Sequence, residues 1–517
     1  MTKSLSRIPA MCCVALLAAN VAAAQFERGD WSLTGGDAGQ TGWQKSEKEL
    51  SPDSVAANVK FLWKIQLGKP QKGAESFSEP LLAGRLINAQ GFKDMVYWAS
   101  DDTIYAVDSE LGVLLWKKEF KSDAPAVGAD CRTTRLGILM EPPPVINFNA
   151  RRRRPPGTPR PAPPPPQKPN ERRLGVAPGG GYFGLKGIYI LAADGMLHEQ
   201  VITTGADYAP PVKFLPGANA DAFGLNYMNH VIYSSTGHGC AGAPNGLWSI
   251  DLASSDYSVA NLESLAPPIA LSGPVITPNG DALFVTGSGP GQHPGSVMSL
   301  AKDMKTANWY TPSGGMGSHQ AVSPIAFAYK GKELAVAPGR DGTVALLDAG
   351  TPGGADHQTP LFETPALAKP GEEHGWDGFA EYQDKDGNTW IFASISSAIS
   401  LSQGDVHGST RHGGVVAFKL KDDGGKLALD PVWVSPDMVN PAPPRIANGV
   451  VVELAGGDAT THATLWMLNA ATGAELYSSK GEIRTYTGLS GVAIGDGHAF
   501  FTDHDNVLYS FGIAMEH

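Results

Sequence analysis

The sequence predicts an all-β protein, an eight-bladed β-propeller with four strands in each blade, and three observations lead to this fold class. Among 517 residues, 62 glycines and 40 prolines leave little room for long helices, and only 18% of the residues are charged. Short segments with the alternating pattern of strands recur along most of the chain. Their period is close to 50 residues, which suits four short strands better than a helical repeat.

The clearest repeat lies early in the chain. Residues 96–108 predict a strand, a turn and a second strand that ends at Asp108, and a third strand follows that carries Trp116. A second copy occupies residues 465–473 and places Tyr477 where the first copy has Trp116. Positions equivalent to Asp108 lie at 108, about 200, 251, 301, 348, 419, 469 and 512. Eight such markers predict eight blades.

The way in which the ring closes can also be predicted. The last repeat, residues 491–512, is too short to contain an outer strand. Residues 59–67 near the start of the chain have the alternation of a strand. Propellers protect their edges by combining strands from both ends of the chain, so we expect this N-terminal strand to complete the last blade.

The first 24 residues resemble a signal peptide rather than part of the fold. Lys3 and Arg7 precede an apolar stretch at residues 11–21, and small residues follow up to Ala24. We expect cleavage after Ala24, which leaves residues 25–517 as a single propeller domain in the periplasm or outside the cell. No later stretch is long and apolar enough to predict a transmembrane segment.

Cysteine usage agrees with export. Cys12 and Cys13 lie in the predicted signal peptide, where a lipid anchor is an alternative, although the residues before them make a poor lipobox. Cys131 and Cys240 remain in the mature chain and can form one disulfide in an oxidising compartment. The alternative is that both are separate buried thiols.

A basic, proline-rich insertion interrupts the repeats. It spans about residues 141–175, and its tract 151–173 combines seven Arg and one Lys with a single Glu, a local net charge of +7. Such a segment cannot bury a core, so we expect it to be disordered or polyproline-like. It either is a solvated loop or touches an anionic surface. The whole chain has a net charge of −11, which argues against nucleic acid as a partner.

The repeats resemble those of a known family. Residues 106–108 (Ala-Val-Asp) with Gly112 and Trp116 are similar to the tryptophan-docking repeat of quinoprotein alcohol dehydrogenases, and the opening from Trp31 to Trp63 is similar to how those proteins begin. The resemblance covers nearly all of the mature chain and implies an eight-bladed propeller. The superfamily also contains non-catalytic propellers, so the resemblance does not settle the chemistry.

In catalytic members of that family, pyrroloquinoline quinone lies near the ring axis beside Ca²⁺ or a lanthanide, and an Asp acts as general base. Arg340, before Asp341 and Gly342, resembles the basic residue that contacts the quinone oxygens. The alternative for Arg340 is a hairpin turn. His319 is the one titratable residue in the segment where the family has its base, so it is the candidate substitute, or else has a structural role.

Other positions depart from the family pattern. The family's Thr-Gly-Asn, which supplies an amide ligand to the cation, reads Thr286-Gly287-Ser288 here. The loop that supplies a metal-binding Glu corresponds to residues 237–243, which contain no carboxylate. The adjacent-cysteine disulfide of the family is also missing. We therefore assign no metal site and name no cofactor.

Two functions follow from this comparison. The main hypothesis is an exported, non-catalytic or diverged propeller that binds a protein, a glycan or a small ligand at its axial face. The alternative is an enzyme, a pyrroloquinoline quinone-dependent dehydrogenase with Ca²⁺ that oxidises an alcohol or a sugar. In that enzyme Arg340 would bind the cofactor and His319 would act as base.

Overall fold

The computed structural model describes most of the chain after the predicted signal peptide. The described residues are 29–68, 78–88, 91–122, 124–125, 131, 136–141, 172–175, 187–263, 265–267, 272–313, 322–339, 342–367, 376–403, 406–487 and 491–514. Within these ranges the protein is almost entirely β-structure.

The N-terminal part contains two strands and a short helix before the first complete blade. These elements are β1 (Trp43–Gln44), α1 (Pro52–Asn58) and β2 (Val59–Gln66). Ser51 caps α1 by accepting a hydrogen bond from the Ser54 backbone, and Pro52 occupies the first turn, where no N–H is needed. The helix turns the chain directly into β2.

The strands that follow form eight four-stranded blades, each a meander of antiparallel strands with its first strand toward the ring axis. Blade 1 comprises β3 (Leu81–Asn88), β4 (Gly91–Ala99), β5 (Thr103–Asp108) and β6 (Leu114–Glu119), and blade 2 comprises β7 (Gly137–Met140), β8 (Gly187–Leu191), β9 (Met196–Val201) and β10 (Val212–Lys213). Blade 3 comprises β11 (Ala222–Met228), β12 (Val231–Thr236), β13 (Gly246–Asp251) and β14 (Val259–Glu263). Blade 4 comprises β15 (Val275–Ile276), β16 (Ala282–Val285), β17 (Val297–Leu300) and β18 (Ala307–Tyr310).

The second half of the ring continues the pattern. Blade 5 comprises β19 (Ile325–Tyr329), β20 (Lys332–Pro338), β21 (Val344–Asp348) and β22 (Phe362–Glu363), and blade 6 comprises β23 (Trp376–Gln383), β24 (Thr389–Ile395), β27 (Gly414–Asp423) and β28 (Lys426–Val434). Blade 7 comprises β29 (Arg445–Ala447), β30 (Val450–Ala455), β31 (Thr464–Asn469) and β32 (Glu475–Ser478). Blade 8 comprises β33 (Ala493–Gly495), β34 (His498–Thr502) and β35 (Val507–Ile513), together with β2. A small hairpin, β25 (Ser400–Gln403) and β26 (Val406–Ser409), extends from blade 6.

The predicted eight-bladed propeller is therefore confirmed. Each sequence marker lies within, or directly after, the third strand of one blade. The marker at 419 lies inside β27 rather than at its end, because β27 continues to Asp423 in a long hairpin with β28. Apolar side chains of neighbouring blades pack face to face, so the core is divided into layers between blades.

Tryptophans on outer strands attach three blades to the blades that follow them. Each indole N–H donates to a backbone carbonyl of the next blade, and each ring lies on a glycine with positive φ, where a Cβ would collide with the ring. The three sets are Trp63 with Ser109 and Gly112, Trp116 with Ile202 and Gly205, and Trp433 with Ala470 and Gly473. This contact explains the Gly and Trp of the sequence repeat.

The ring closes as the sequence predicts. β2 pairs antiparallel with β35, from Val59 opposite Ile513 to Gln66 opposite Val507. Blade 8 thus takes its outer strand from the N-terminal part of the chain and its three inner strands from the C-terminal part. The closing strand pairs with the edge of β35 that would otherwise be exposed.

A feature that the sequence pattern does not predict is the course of residues 29–44, here called the axial segment. It follows the inner strands around the ring and forms a hydrogen bond with every blade. In blades 1 to 4, the bonded pairs are Trp31 with Leu82, Ser32 with Met140, Ala38 with Asn226, and Ala38 with Ile276. In blades 5 to 8, they are Gly39 with Ala326, Thr41 with Glu381, Gly42 with Ile446, and Gln44 with Ile494. The axial segment therefore lines the inside of the ring.

Two sequence predictions concern regions largely beyond the described residues. The signal peptide, residues 1–24, and most of the insertion at 141–175 belong to these regions. At the end of the insertion, the Arg172 and Arg173 guanidinium groups lie over the rings of Tyr208 and Tyr257, at 5.2 and 4.8 Å. Among the described residues, no helix has the length and apolar character to cross a bilayer.

Candidate functional site

The two faces of the ring carry different sets of loops. Because the four strands of a blade alternate in direction, the loop that leads into the first strand and the loop between the second and third strands lie at the same end. This end is called the upper face. Cys131 and Cys240 belong to its loops, whereas β7 ends at Met140, where the insertion begins, at the opposite, lower face.

Cys131 and Cys240 form a disulfide on the upper face, with their Cα atoms 5.6 Å apart. Cys131 belongs to the loop before blade 2, and Cys240 to the loop between β12 and β13 of blade 3. Cys240 is completely buried in a short 3₁₀ turn, Cys240–Gly242. The disulfide joins the loops of two blades over the upper face, within the loop where the resemblance implies a metal-binding carboxylate.

We predict that this disulfide increases the free energy of unfolding by a measurable amount. It closes a loop with a sequence separation of 109 residues, and loops of this size make a disulfide worth about 2–4 kcal/mol. Thiol titration of the denatured, unreduced mature protein should detect no free thiol. The double variant Cys131→Ser, Cys240→Ser should lose about 2–4 kcal/mol in urea unfolding. Two titratable thiols in the unreduced protein would contradict the prediction.

The two residues that the sequence proposes for chemistry, His319 and Arg340, lie outside the described residues. The positions that correspond to cation ligands are described in part. The Thr286 hydroxyl donates to the His293 carbonyl at 2.5 Å and accepts from the Ser296 backbone at 3.1 Å, while Ser288 is exposed. Together with the disulfide at Cys240, these described positions do not fit a multidentate oxygen cage for Ca²⁺ beside a quinone.

A histidine of the same loop is held by a carboxylate. His238 Nδ1 lies 2.5 Å from Asp221 Oδ2, and 41% of the His238 side chain is exposed on the upper face. The ring also contacts Phe223 edge to face. An imidazole oriented in this way can exchange a proton or bind a polar ligand with its other nitrogen, so the upper face offers a polar contact next to the disulfide.

The second group of interest lies where the upper face meets the ring axis. Glu79 precedes β3 and Arg445 begins β29, and their side chains form an ion pair that is only 3% and 4% exposed. Trp31 of the axial segment donates its indole N–H to Glu79 at 2.5 Å. Arg445 also donates to the carbonyls of Val492 and Pro444, at 3.1 and 3.0 Å. The pair thereby connects blades 1, 7 and 8 with the axial segment.

Two further carboxyl groups continue this group: Glu453 lies near Arg445, and Asp377 lies near Glu453. Glu453 on β30 is completely buried, and neither of its carboxyl oxygens has a hydrogen-bond partner. Burial raises the pKa of Glu453 well above its ordinary value; Arg445 partly offsets this shift, and the Asp377 charge adds to it. Burial also raises the pKa of Asp377 to about 7. Glu79, Asp377, Arg445 and Glu453 are called the axial cluster.

Sequence reasoning missed the axial cluster because its four members are separated by up to several hundred residues. One local signal was present: Glu453 is a single charge inside the apolar strand Val450–Ala455, where a buried ionisable group indicates a function or a partner. Arg445 gave no such signal, because its short strand follows a proline-rich turn. The cluster thus places a buried group of acids at the mouth of the axis.

Solved structures of similar fold cover nearly the whole chain. The quinohemoprotein alcohol dehydrogenase of Pseudomonas putida HK5 has a TM-score of 0.56 and 13% identity, over 96% of this chain and 82% of that chain. The quinohemoprotein alcohol dehydrogenase of Comamonas testosteroni has a TM-score of 0.55 and 12% identity, over 97% and 84%. A europium-containing methanol dehydrogenase has a TM-score of 0.54 and 11% identity, over 96% and 100%.

Sequence comparison adds no closer relation, since no protein-family model and no curated protein matches the chain. At identities of 11–13% the structural likeness concerns the fold and leaves the reaction open. The protein therefore shares the propeller fold of these alcohol dehydrogenases.

Proposed function

We propose that the protein is an exported, periplasmic or secreted propeller that binds a protein, a glycan or a small ligand at its upper, axial face without redox chemistry. One observation carries this proposal. Cys240 is buried and joined to Cys131 at the loop that would supply a carboxylate to a quinone-bound cation. A disulfide makes this loop rigid, which favours recognition, but it supplies no oxygen ligand to a hard cation.

The alternative, a pyrroloquinoline quinone-dependent dehydrogenase, is distinguished by quinone binding. In the test, the purified protein is titrated with pyrroloquinoline quinone by calorimetry in the presence of Ca²⁺. The quinone spectrum and the oxidation of alcohols and sugars with an artificial electron acceptor are followed in parallel. We expect no stoichiometric binding and no quinone-dependent oxidation, because the described ligand positions do not fit the cation that polarises the quinone.

A quinoprotein alcohol dehydrogenase in the same assay serves as the positive control. Stoichiometric, Ca²⁺-dependent binding that Arg340→Ala abolishes would contradict the proposal and support the dehydrogenase. Binding that Arg340→Ala leaves unchanged would place the quinone elsewhere on the molecule and would leave the axial site of the alternative unsupported.

The face used for recognition can be tested separately with a photo-crosslinking side chain. One variant carries it at His238 on the upper face, and the matched control carries it at Lys385 in an exposed turn of the lower face. After irradiation in the native compartment, the His238 variant should give adducts that the Lys385 variant lacks. Equal adducts from both positions, or adducts from Lys385 alone, would contradict recognition by the upper face.

A further inference from the structure

The axial cluster has more negative than positive charge. It contains three carboxyl groups, Glu79, Asp377 and Glu453, and a single guanidinium, Arg445. Arg445 bonds with Glu79 and with two backbone carbonyls, so its hydrogen bonds do not reach Glu453. If all three acids are ionised, the cluster carries two uncompensated charges in a largely buried site, which is costly without a counter-ion.

Among the described residues, four of the buried oxygen atoms that lack a partner in good hydrogen-bond geometry lie on adjoining elements of blades 6 and 7. They are both carboxyl oxygens of Glu453, Oδ2 of Asp377 and the hydroxyl of Ser396. Asp377 lies at the start of β23 and Ser396 directly follows β24, where its backbone N–H and its hydroxyl face the Asp377 carboxylate. Glu453 interacts electrostatically with Asp377. These atoms are buried acceptors and hydroxyls, and nearly every buried polar atom in a folded protein has a partner.

We propose that Asp377, Glu453 and Ser396 bind a cation, and that this cation is Ca²⁺. All the available side-chain ligands are oxygens, which favour a hard cation over zinc or copper. A divalent ion balances the two excess charges. Because no three His, Cys, Asp or Glu side chains converge in the described part of the chain, the Ser396 hydroxyl is needed as a ligand, and water or backbone carbonyls complete the shell.

The size and position of the site agree with an ion rather than a larger molecule. Glu453 is completely buried, so the occupant must be small. Asp377 and Ser396 lie at the upper ends of their strands and are partly buried as residues, although the oxygen atoms without a partner are not exposed. The site lies on blades 6 and 7, away from residues 237–243 of blade 3, where the resemblance implies a cation beside a quinone. The proposal is therefore independent of whether the quinone binds.

The test uses the full mature protein after removal of metal with a chelator. Calorimetry with CaCl₂ alone, without quinone, should give one binding site per chain, and saturating Ca²⁺ should raise the melting temperature by several degrees. Mg²⁺ should bind at least ten times more weakly, because it requires a tighter octahedral shell. Asp377→Asn and Glu453→Gln should each weaken Ca²⁺ binding at least tenfold. Asp423→Asn, at an exposed position on the same sheet as Asp377, is the matched control and should bind as the unaltered protein does.

Three results would overturn the proposal. The first is the absence of stoichiometric Ca²⁺ binding to the unaltered protein. The second is Ca²⁺ binding that persists in both Asp377→Asn and Glu453→Gln, because the ion would then lie elsewhere. The third is a gain in melting temperature for Glu453→Gln at neutral pH that is the same with and without Ca²⁺, which would show that protons alone neutralise the cluster. If either variant fails to fold, circular dichroism reveals this, and Asp377→Glu then tests the site by changing its Ca²⁺ affinity.

Discussion

Removal of residues 29–44 from the mature chain is expected to prevent formation of a stable ring. The axial segment forms hydrogen bonds with all eight blades, most of them from backbone N–H groups of the inner strands. Such bonds contribute about 0.5–1.5 kcal/mol each, and the completely buried Trp31 adds an apolar contribution of several kcal/mol. Their sum is comparable with the whole stability of a domain, about 5–15 kcal/mol.

The measurement compares soluble yield, size-exclusion profile and near-ultraviolet circular dichroism with those of the complete mature protein. A matched deletion, residues 151–170, removes a similar length of the basic insertion. Because that tract has almost no apolar content, its removal should leave the melting temperature nearly unchanged. A protein without residues 29–44 that unfolds cooperatively within a few degrees of the complete protein would contradict the role of the axial segment.

The second large effect is expected at the ion pair of the axial cluster. Arg445→Met should lower the free energy of unfolding by about 3–5 kcal/mol, because it leaves the Glu79 carboxylate buried without its charged partner. The double variant Arg445→Met, Glu79→Gln should recover part of this loss. The glutamine that this variant carries at position 79 can still accept the Trp31 indole N–H without carrying a charge. Urea unfolding at 25 °C gives the four values of the double-mutant cycle.

The control is an ion pair of the same blade that is exposed. Lys480 lies 3.9 Å from Glu475, with side chains 79% and 40% exposed, so Lys480→Met should cost less than about 1 kcal/mol. If Arg445→Met costs no more than Lys480→Met, the buried pair does not stabilise the mouth of the axis. If the double variant loses as much as the single one, the cost arises from lost packing against Trp31 rather than from the uncompensated charge.

The sequence is sufficient to predict the blades because each blade repeats the same local pattern. Asp108 and its equivalents lie within or directly after third strands, and the glycine and tryptophan around them pack against the neighbouring blades. The closing strand at residues 59–67 could be predicted because the last repeat lacks an outer strand. The axial segment could not, since its carbonyls and not its side chains make most of the contacts. A pattern of side chains along the sequence does not predict backbone pairing of this kind.

The candidate site is harder to predict from the sequence than the blades are, for a different physical reason. The disulfide could be predicted from two cysteines in a chain with a predicted signal peptide, and the structure joins Cys131 to Cys240. The axial cluster combines Glu79 of blade 1 and Asp377 of blade 6 with Arg445 and Glu453 of blade 7, and these residues meet only when the ring is closed. His319 and Arg340 remain predictions, because both lie beyond the part of the chain that the structure describes.

The pairing of β2 with β35 sets an order of events during synthesis. Gln66 leaves the ribosome early, yet its strand partner, Val507, follows 441 positions later. Throughout that interval β2 has a free edge that can pair wrongly with other chains. Contacts between such distant positions also form slowly. A chain that stops short of β35 leaves β2 without its strand partner, so only chains that extend through β35 can close the ring.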